Sequence, residues 1–392
     1  MKKRIGIVGS GTAGLQLAYA LKDDFDITIL ESRSSDQIKN GRIMSSQVHS
    51  GSTKARENRF QMPKWDTSQQ LECVNVLMGD QKLFTGYLEK PGLSVDQRLY
   101  YSDCMKDLEG KGVTFRMEKV DENNMETLIE KVDLLIDCTG KKGPIFPFPI
   151  MENLSPFQAP QRKQIVGYFY GVEPIDRPGV NMTVFPGEGE LFESPAVSEH
   201  GPVTTLYISA IPNKQLDAFI GIKYAKDFTI AMKNILETYF PATYKRIDIE
   251  NFALCDEKAY MQIAYIPVVR KPYLIVKDKL VLGCGDSVFL NDPITGQGSN
   301  LASYCAEQLA ETIIESKNST WNLDLGEAYW NRVEQRVEAV TKWTNAMTLP
   351  LPEHVMQFMF ECAQDQSKAN EFAKWFDDPI IPYEFFFSSK SS

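Results

Sequence analysis

The 392-residue chain is longer than a single hydrophobic core usually supports, so two interleaved domains are expected. With 43% hydrophobic and 24% charged residues it has an ordinary globular composition, and no apolar run reaches the roughly 18 residues that span a bilayer. A net charge of −10 argues against a nucleic-acid partner, three scattered histidines argue against a histidine-rich metal site, and seven cysteines show neither CxxC spacing nor a disulfide pattern.

The basic start Lys2-Lys3-Arg4 leads into a short apolar run that ends in glycines, which is a strand and not a signal peptide, so a cytoplasmic location is expected. That strand, Arg4 to Val8, is followed by Gly9-Ser10-Gly11-Thr12-Ala13-Gly14 and an apolar helix. The next strand, Ile27 to Leu30, ends on Glu31. Strand, GxGxxG, helix, strand and acid make a dinucleotide-binding fingerprint. Gly9 serves the tight turn, Gly11 lets a pyrophosphate approach the backbone, and Gly14 lets the helix pack closely. Thr12 and Ala13 open the helix whose free N–H groups face the phosphates, and Glu31 stands where a carboxylate accepts from an adenosine ribose. A plain glycine-rich turn would explain the glycines alone but not the flanking elements.

Residues 32 to 66 are polar and irregular, with Gly41-Arg42-Ile43-Met44-Ser45-Ser46-Gln47-Val48-His49 as the one patterned stretch. Leu71 to Met78 and Gln81 to Tyr87 read as paired strands around Gly79-Asp80, Ser94 to Gly110 as a helix, and Val113 to Val120 as a strand. Lys131 to Gly140 is an apolar strand delivering Cys138-Thr139-Gly140 to the edge of a parallel sheet. From 141 to 275 the pattern alternates between Pro and Gly breaks, as in Ile165 to Tyr170, Met182 to Phe185 and Thr204 to Ile208, which predicts an antiparallel sheet. A helix follows from Ala225 to Tyr239, and Lys279 to Leu282 returns the chain to the first domain. Helices are expected over Asn300 to Ser316, Leu325 to Leu349 and His354 to Phe376.

A second cofactor motif lies in that return: Leu280 to Gly283, then Gly285-Asp286, then Asp292-Pro293-Ile294-Thr295-Gly296-Gln297-Gly298-Ser299-Asn300 and a small-residue helix. Asp286 can accept a ribityl hydroxyl, and the N–H groups opening the Asn300 helix can stabilise negative charge. Alone these glycines would merely serve loops; in order after the first motif they favour FAD over NAD. The fold class is therefore α/β, with a discontinuous Rossmann-like FAD-binding domain (1–150 and 275–320), an antiparallel-sheet substrate domain (151–274) and a C-terminal helical region (321–392).

With these motifs, Asp96-Gln97-Arg98-Leu99-Tyr100 and Cys138-Thr139-Gly140, the chain resembles the FAD-dependent aromatic hydroxylase superfamily. Asn153-Leu154-Ser155-Pro156-Phe157, Pro160-Gln161-Arg162, Asp292 to Gly298 and Lys342-Trp343-Thr344-Asn345 narrow the resemblance to the styrene and indole monooxygenases, over residues 1 to about 350. The resemblance implies the oxygenase of a two-component system. An NADH-dependent flavin reductase supplies reduced FAD, O2 reacts with it to a C4a-hydroperoxyflavin, and one oxygen atom passes to an aromatic alkene such as indole or styrene. It places Gly9, Gly11, Thr12, Ala13, Gly14, Glu31, Arg98 and Asp286 on FAD, with Arg98 pairing a phosphate or ribose oxygen. Pro293, Gly296, Gln297, Gly298 and Ser299 stand beside the isoalloxazine ring, and Ser45, Ser46 and Gln47 between flavin and substrate. No acid-base residue is implied. Ser45 and Gln47 depart from the asparagine and valine of the styrene type towards the indole type, whereas His49 goes with the styrene type.

Phe185, Phe192 and Tyr207 are candidates for an aromatic cavity wall. His49 reads as a hydrogen-bonded structural residue, and the aromatic end Tyr383 to Phe387 either docks on the body or marks a homodimer contact. Two other readings compete. A single-component hydroxylase would take hydride from NAD(P)H, but no second glycine-rich nucleotide motif is present, and Cys138-Thr139-Gly140-Lys141 replaces the Asp-Gly pair such enzymes carry. A halogenase would carry Trp-x-Trp-x-Ile-Pro, which is absent, and a non-enzymatic flavin-binding redox protein would need no substrate domain.

Overall fold

The computed structural model describes residues 2–175 and 177–387. Five strands run parallel in the order Lys279–Gly283, Leu134–Asp137, Arg4–Val8, Asp26–Glu31 and Thr114–Met117, and Tyr273–Val276 adds an antiparallel edge beside the first of them. The central strands Arg4–Val8, Leu134–Asp137 and Lys279–Gly283 are buried on both faces, because the helices Thr12–Leu21 and Gly298–Glu315 and their neighbours pack around them in one large core, while the edge strand Thr114–Met117 is mostly exposed. The chain leaves Arg4–Val8 towards Asp26–Glu31 on one side, while Leu134–Asp137 pairs on the other. A crevice therefore opens at the carboxyl end of the first strand.

A nine-stranded sheet forms the second layer, in the order Ala253–Leu254, Lys163–Tyr170, Gly201–Ala210, Gly189–Ser198, Gly179–Phe185, Gln70–Met78, Gln81–Ser94 and Val48–His49, with Tyr260–Ala264 also on Lys163–Tyr170. It is antiparallel except that Gln70–Met78 runs parallel to Gly179–Phe185. The helix Ala225–Tyr239 buries Phe228, Met232 and Leu236 against one part of this sheet. The C-terminal helices pack Trp343, Phe358, Phe372 and Trp375 against Val74, Val76 and Phe84 in another. Among the described residues no helix is long and apolar enough to cross a membrane.

Three expectations change. The boundary at residue 150 does not follow the sheets: Val48–His49, Gln70–Met78 and Gln81–Ser94 all join the large sheet, because the free edge of Gly179–Phe185 pairs with Gln70–Met78. The stretch 32–66 is less irregular than its polarity suggests. Ser34 and Gln37 form a reciprocal capping box that starts the helix Ser35–Lys39, and the Ser50 side chain caps Gly51–Arg59. The single helix expected over His354 to Phe376 is two, Glu353–Cys362 and Gln366–Lys374, because the Asp365 side chain accepts from Ser367 N and starts a new N-terminus. The aromatic end forms the helix Ile380–Phe387 and docks on the body, with Phe385 and Phe386 against Trp375; the last five positions of the expected C-terminal region lie outside the described residues.

At the seam between the large sheet and the C-terminal helices, a Cβ on Gly86 would stand 2.0 Å from the Ala369 carbonyl oxygen. Backbone cannot yield as a side chain would, so Gly86→Ala should lower stability by about 1–3 kcal/mol. Chemical denaturation checks this, and an unchanged midpoint would show that the seam is looser than its geometry.

Candidate active site: one cavity between two sheets

A cavity of about 640 Å³ runs from the glycine loop to the face of the large sheet. At its glycine-loop end the first strand turns sharply: Gly9 adopts φ +102°, donates to the Leu30 carbonyl at 2.9 Å, and has the Cys138 carbonyl oxygen 2.4 Å from where a Cβ would stand. A Cβ on Gly14 would meet the Gly9 oxygen at 2.1 Å, so this glycine sets helix against turn and does not line the cavity. Gly11 is the opposite case. A Cβ there would meet nothing within 4 Å, leaving its backbone open to a ligand.

Thr12, Ala13 and Glu31 line the cavity as expected. The Glu31 carboxylate accepts from Ser10 Oγ at 2.7 Å and Ser10 N at 3.2 Å, so it also braces the glycine loop. From the other chain segment come Asp286, Pro293, Gly296, Gln297, Gly298 and Ser299, all on the lining. Burial pushes the Asp286 carboxyl up, against the pull of the Lys141 ammonium. The loop that carries Pro293 is tied on several sides. Asp292 accepts from Ile294 N at 3.0 Å and from Gln164 Nε2 at 3.1 Å, Thr295 pairs with Thr344 across 2.7 Å, and Gln297 donates to the Phe376 carbonyl at 3.1 Å. Burial pushes the Asp292 carboxyl up to about 6.

Ser45, Ser46 and Gln47 also face the cavity. Ser45 Oγ donates to Gln97, and Gln47 reaches the Tyr101 hydroxyl through its amide nitrogen and His49 through its oxygen. His49 is buried, bonded to Glu57 at 2.7 Å and edge-on to Tyr100, in keeping with a structural role. The wall on the large sheet is apolar and aromatic, with Leu71, Val74, Met182, Phe192 and Tyr207; Phe185 packs on Tyr239 instead and is not part of it.

Arg98 requires a correction. It lies outside the lining, and all of its guanidinium N–H groups are engaged: Nε with Asp96, Nη1 with Gly41 O and Asp256, Nη2 with Asp96 and Asp256. Burial opposes its charge, and the two carboxylates more than restore it. That buried ion-pair network fixes the start of the helix Gln97–Gly110 and leaves no guanidinium N–H over for the expected cofactor phosphate. Residues to which the sequence assigned no side-chain role in the site include Tyr101, Gln97 and Asn300. Asn300 Oδ1 accepts from Ser50 N at 3.0 Å and Thr53 Oγ1 at 2.7 Å, joining the helix Gly298–Glu315 to the cap and first turn of the helix Gly51–Arg59. Its place opening the helix after Ser299 was the available signal.

Among the described residues no group of three or more His, Cys, Asp or Glu side chains is arranged to hold a metal ion. The donor set suits FAD: an open glycine backbone at a helix N-terminus, a desolvated carboxylate at Asp286 without a hydrogen-bond partner among the described residues, and a second helix N-terminus at Gly298. Solved structures share the architecture. The chain aligns with a flavoprotein/dehydrogenase from Cytophaga hutchinsonii at a TM-score of 0.70, 11% identity, covering 97% of this chain and 93% of that one. It aligns with pqsL from Pseudomonas aeruginosa, described as a probable FAD-dependent monooxygenase, at 0.67 and 14%, covering 93% and 99%. These likenesses show the fold: a mixed α/β architecture in which a parallel sheet carrying a glycine loop is joined to a large, mostly antiparallel sheet.

Sequence relatives are more specific. Residues 140–246 match the family model for the substrate binding domain of styrene monooxygenase A. The styrene monooxygenase StyA of a Pseudomonas species is 33% identical over 99% of this chain and 96% of its own length, and that of Pseudomonas fluorescens is 32% identical over the same shares. The chain belongs to the styrene monooxygenase A family.

Two outcomes follow from the geometry. Gly11→Ala should melt as the wild type does yet bind FAD roughly ten-fold more weakly or worse, whereas Gly14→Ala should lower the melting temperature, since its methyl meets backbone. Melting curves with FAD titrations check both, and equal destabilisation would refute the distinction. For Asp292 the folded pKa lies above the unfolded value of 3.8, so the folded state holds the proton more tightly. Stability falls as pH rises from about 4 to 6, by about 2–3 kcal/mol for this group, and Asp292→Asn should remove that slope. Denaturation at pH 4, 5 and 7 reads it; an unchanged slope would contradict the assignment.

Proposed function

We propose that this oxygenase takes reduced FAD from a separate NADH-dependent flavin reductase and inserts one atom of O2 into the double bond of an aromatic alkene, indole or styrene. The observation that carries this reading is the continuity of the cavity: the glycine loop, the Pro293 to Ser299 loop, Ser45 to Gln47 and the apolar face of the large sheet line one space. The balance is alkene plus O2 plus reduced FAD to epoxide, oxidised FAD and water. Bound FAD supplies the electrons and the activation of oxygen.

The rest falls to this chain's residues. Gly9, Gly11, Thr12, Ala13 and Glu31 hold the adenosine and phosphate end, and Asp286 holds the ribityl chain. Pro293 and the backbone from Gly296 to Ser299 sit beside the ring. Ser45 and Gln47, fixed by Gln97, Tyr101 and His49, present hydroxyl and amide groups of set orientation between ring and substrate. Leu71, Val74, Met182 and Phe192 exclude water and offer flat apolar surface to an aromatic ring. The serine and glutamine at 45 and 47 favour a substrate with a hydrogen-bonding ring nitrogen, such as indole, over a pure hydrocarbon.

Seven free cysteines accord with a cytoplasmic location. Exposed Met356, Phe360 and Phe387 on the C-terminal helices support association through that region, with a second copy as the partner.

The test is to mix the protein anaerobically with chemically reduced FAD and either indole or styrene, admit O2, and analyse the products. An indigo precursor or styrene oxide should form in proportion to the reduced FAD, with more turnover on indole, and the protein without a reductase should leave NADH unconsumed. Hydrogen peroxide as sole product across a panel of aromatic alkenes would refute oxygen transfer, and rapid NADH oxidation by the protein alone would refute the two-component reading.

A further inference from the structure

With Arg98 spent on Asp96 and Asp256, the negative charge of a bound cofactor needs another cation. Lys90, Lys119 and Lys142 touch the cavity only from exposed positions, and the half-buried Arg33 on the lining lies 3.9 Å from the Glu31 carboxylate and donates to Met44 Sδ at 3.5 Å. Lys141 is different. It follows the Thr139-Gly140 turn at the carboxyl end of Leu134–Asp137 and lines the same cavity as Asp286. Its ammonium carries three donors, yet among the described residues its one hydrogen bond is to the Met44 carbonyl, at 3.4 Å. Beneath it, 4.8 Å away, lies the ring of Tyr265, whose buried hydroxyl has no hydrogen-bond partner among the described residues.

Asp286 attracts Lys141 electrostatically, but the two form no ion pair among the described residues. Burial holds the Lys141 ammonium below the ordinary lysine range as it pushes the Asp286 carboxyl up. An ammonium and a carboxylate thus stand half-buried on the wall of one cavity without pairing with each other among the described residues. That costs stability in the free protein and is relieved by a ligand that offers hydroxyls to one and negative charge to the other.

We propose that Lys141 is the cation that binds an anionic group of the bound cofactor, in the place expected of Arg98; this rests on the assignment of the cavity to FAD. The charge it meets is either the diphosphate or the negative charge of the reduced flavin ring. The ammonium is half-buried and makes a single long hydrogen bond among the described residues, to the Met44 carbonyl, so its loss weakens the ligand with little effect on the fold.

The experiment compares wild type, Lys141→Met and Lys141→Arg in anaerobic titrations with oxidised FAD, reduced FAD and riboflavin, alongside melting of the free proteins. Lys141→Met should melt no lower than wild type and bind FAD about ten-fold or more weakly, with Lys141→Arg within about three-fold of wild type. A loss shared by oxidised and reduced FAD but not by riboflavin identifies the diphosphate; a loss confined to reduced FAD identifies the ring. Unchanged affinity for all three ligands in Lys141→Met would overturn the proposal. Failure of the wild type to bind any flavin would instead overturn the FAD assignment itself.

Discussion

At Gly9 and Gly14, where the first strand turns into its helix, no Cβ can stand, and the rest of the site depends on that constraint. The Gly9 oxygen, the Cys138 carbonyl and the helix carrying Gly14 approach so closely that any Cβ at Gly9 or Gly14 would overlap backbone. Because the turn is that tight, the helix N-terminus points along the carboxyl edge of the sheet, and the Gly11 backbone is bared to the crevice. Glu31 then closes the loop from the neighbouring strand through Ser10. Everything else at the cofactor end is positioned relative to this corner.

The opposite wall is held by contacts that span the chain. Thr295 with Thr344, Gln297 with Phe376 O, and Asn300 with Ser50 and Thr53 tie the loop after Asp286 to the C-terminal helices and to the segment containing Gln47. Substrate face and cofactor face therefore belong to one interlocked body, and the cavity between them has aromatic walls on one side and backbone donors on the other. That division suits a reaction in which the cofactor carries the chemistry and the protein controls orientation and water.

How much of this was legible in the sequence depends on how local each feature is. The glycine loop, Glu31 and the Gly285-Asp286 motif are short-range patterns with one steric meaning, and the structure places them on one cavity. The fate of Arg98 was hidden because its second partner, Asp256, lies 158 residues away. The same distance effect hid the sheet membership of Gln70–Met78, whose parallel neighbour Gly179–Phe185 follows more than a hundred residues later. Gly189–Ser198 went unread as a strand although it carries Phe192, since Glu and Pro interrupt its apolar alternation. The helices Ser35–Lys39 and Gly51–Arg59 were missed for a different reason: they are short and polar, and only their caps announce them.

The central claim is that one cavity holds the flavin ring and the aromatic substrate against each other. A crystal structure with FAD and ethylbenzene, a saturated analogue that lacks the reactive double bond, tests it most directly. The account predicts the isoalloxazine ring between the Pro293 to Ser299 loop and Ser45 to Gln47, with the aromatic ligand in contact with it and with Phe192. A flavin bound elsewhere, or an aromatic ligand separated from the ring by protein, would contradict it.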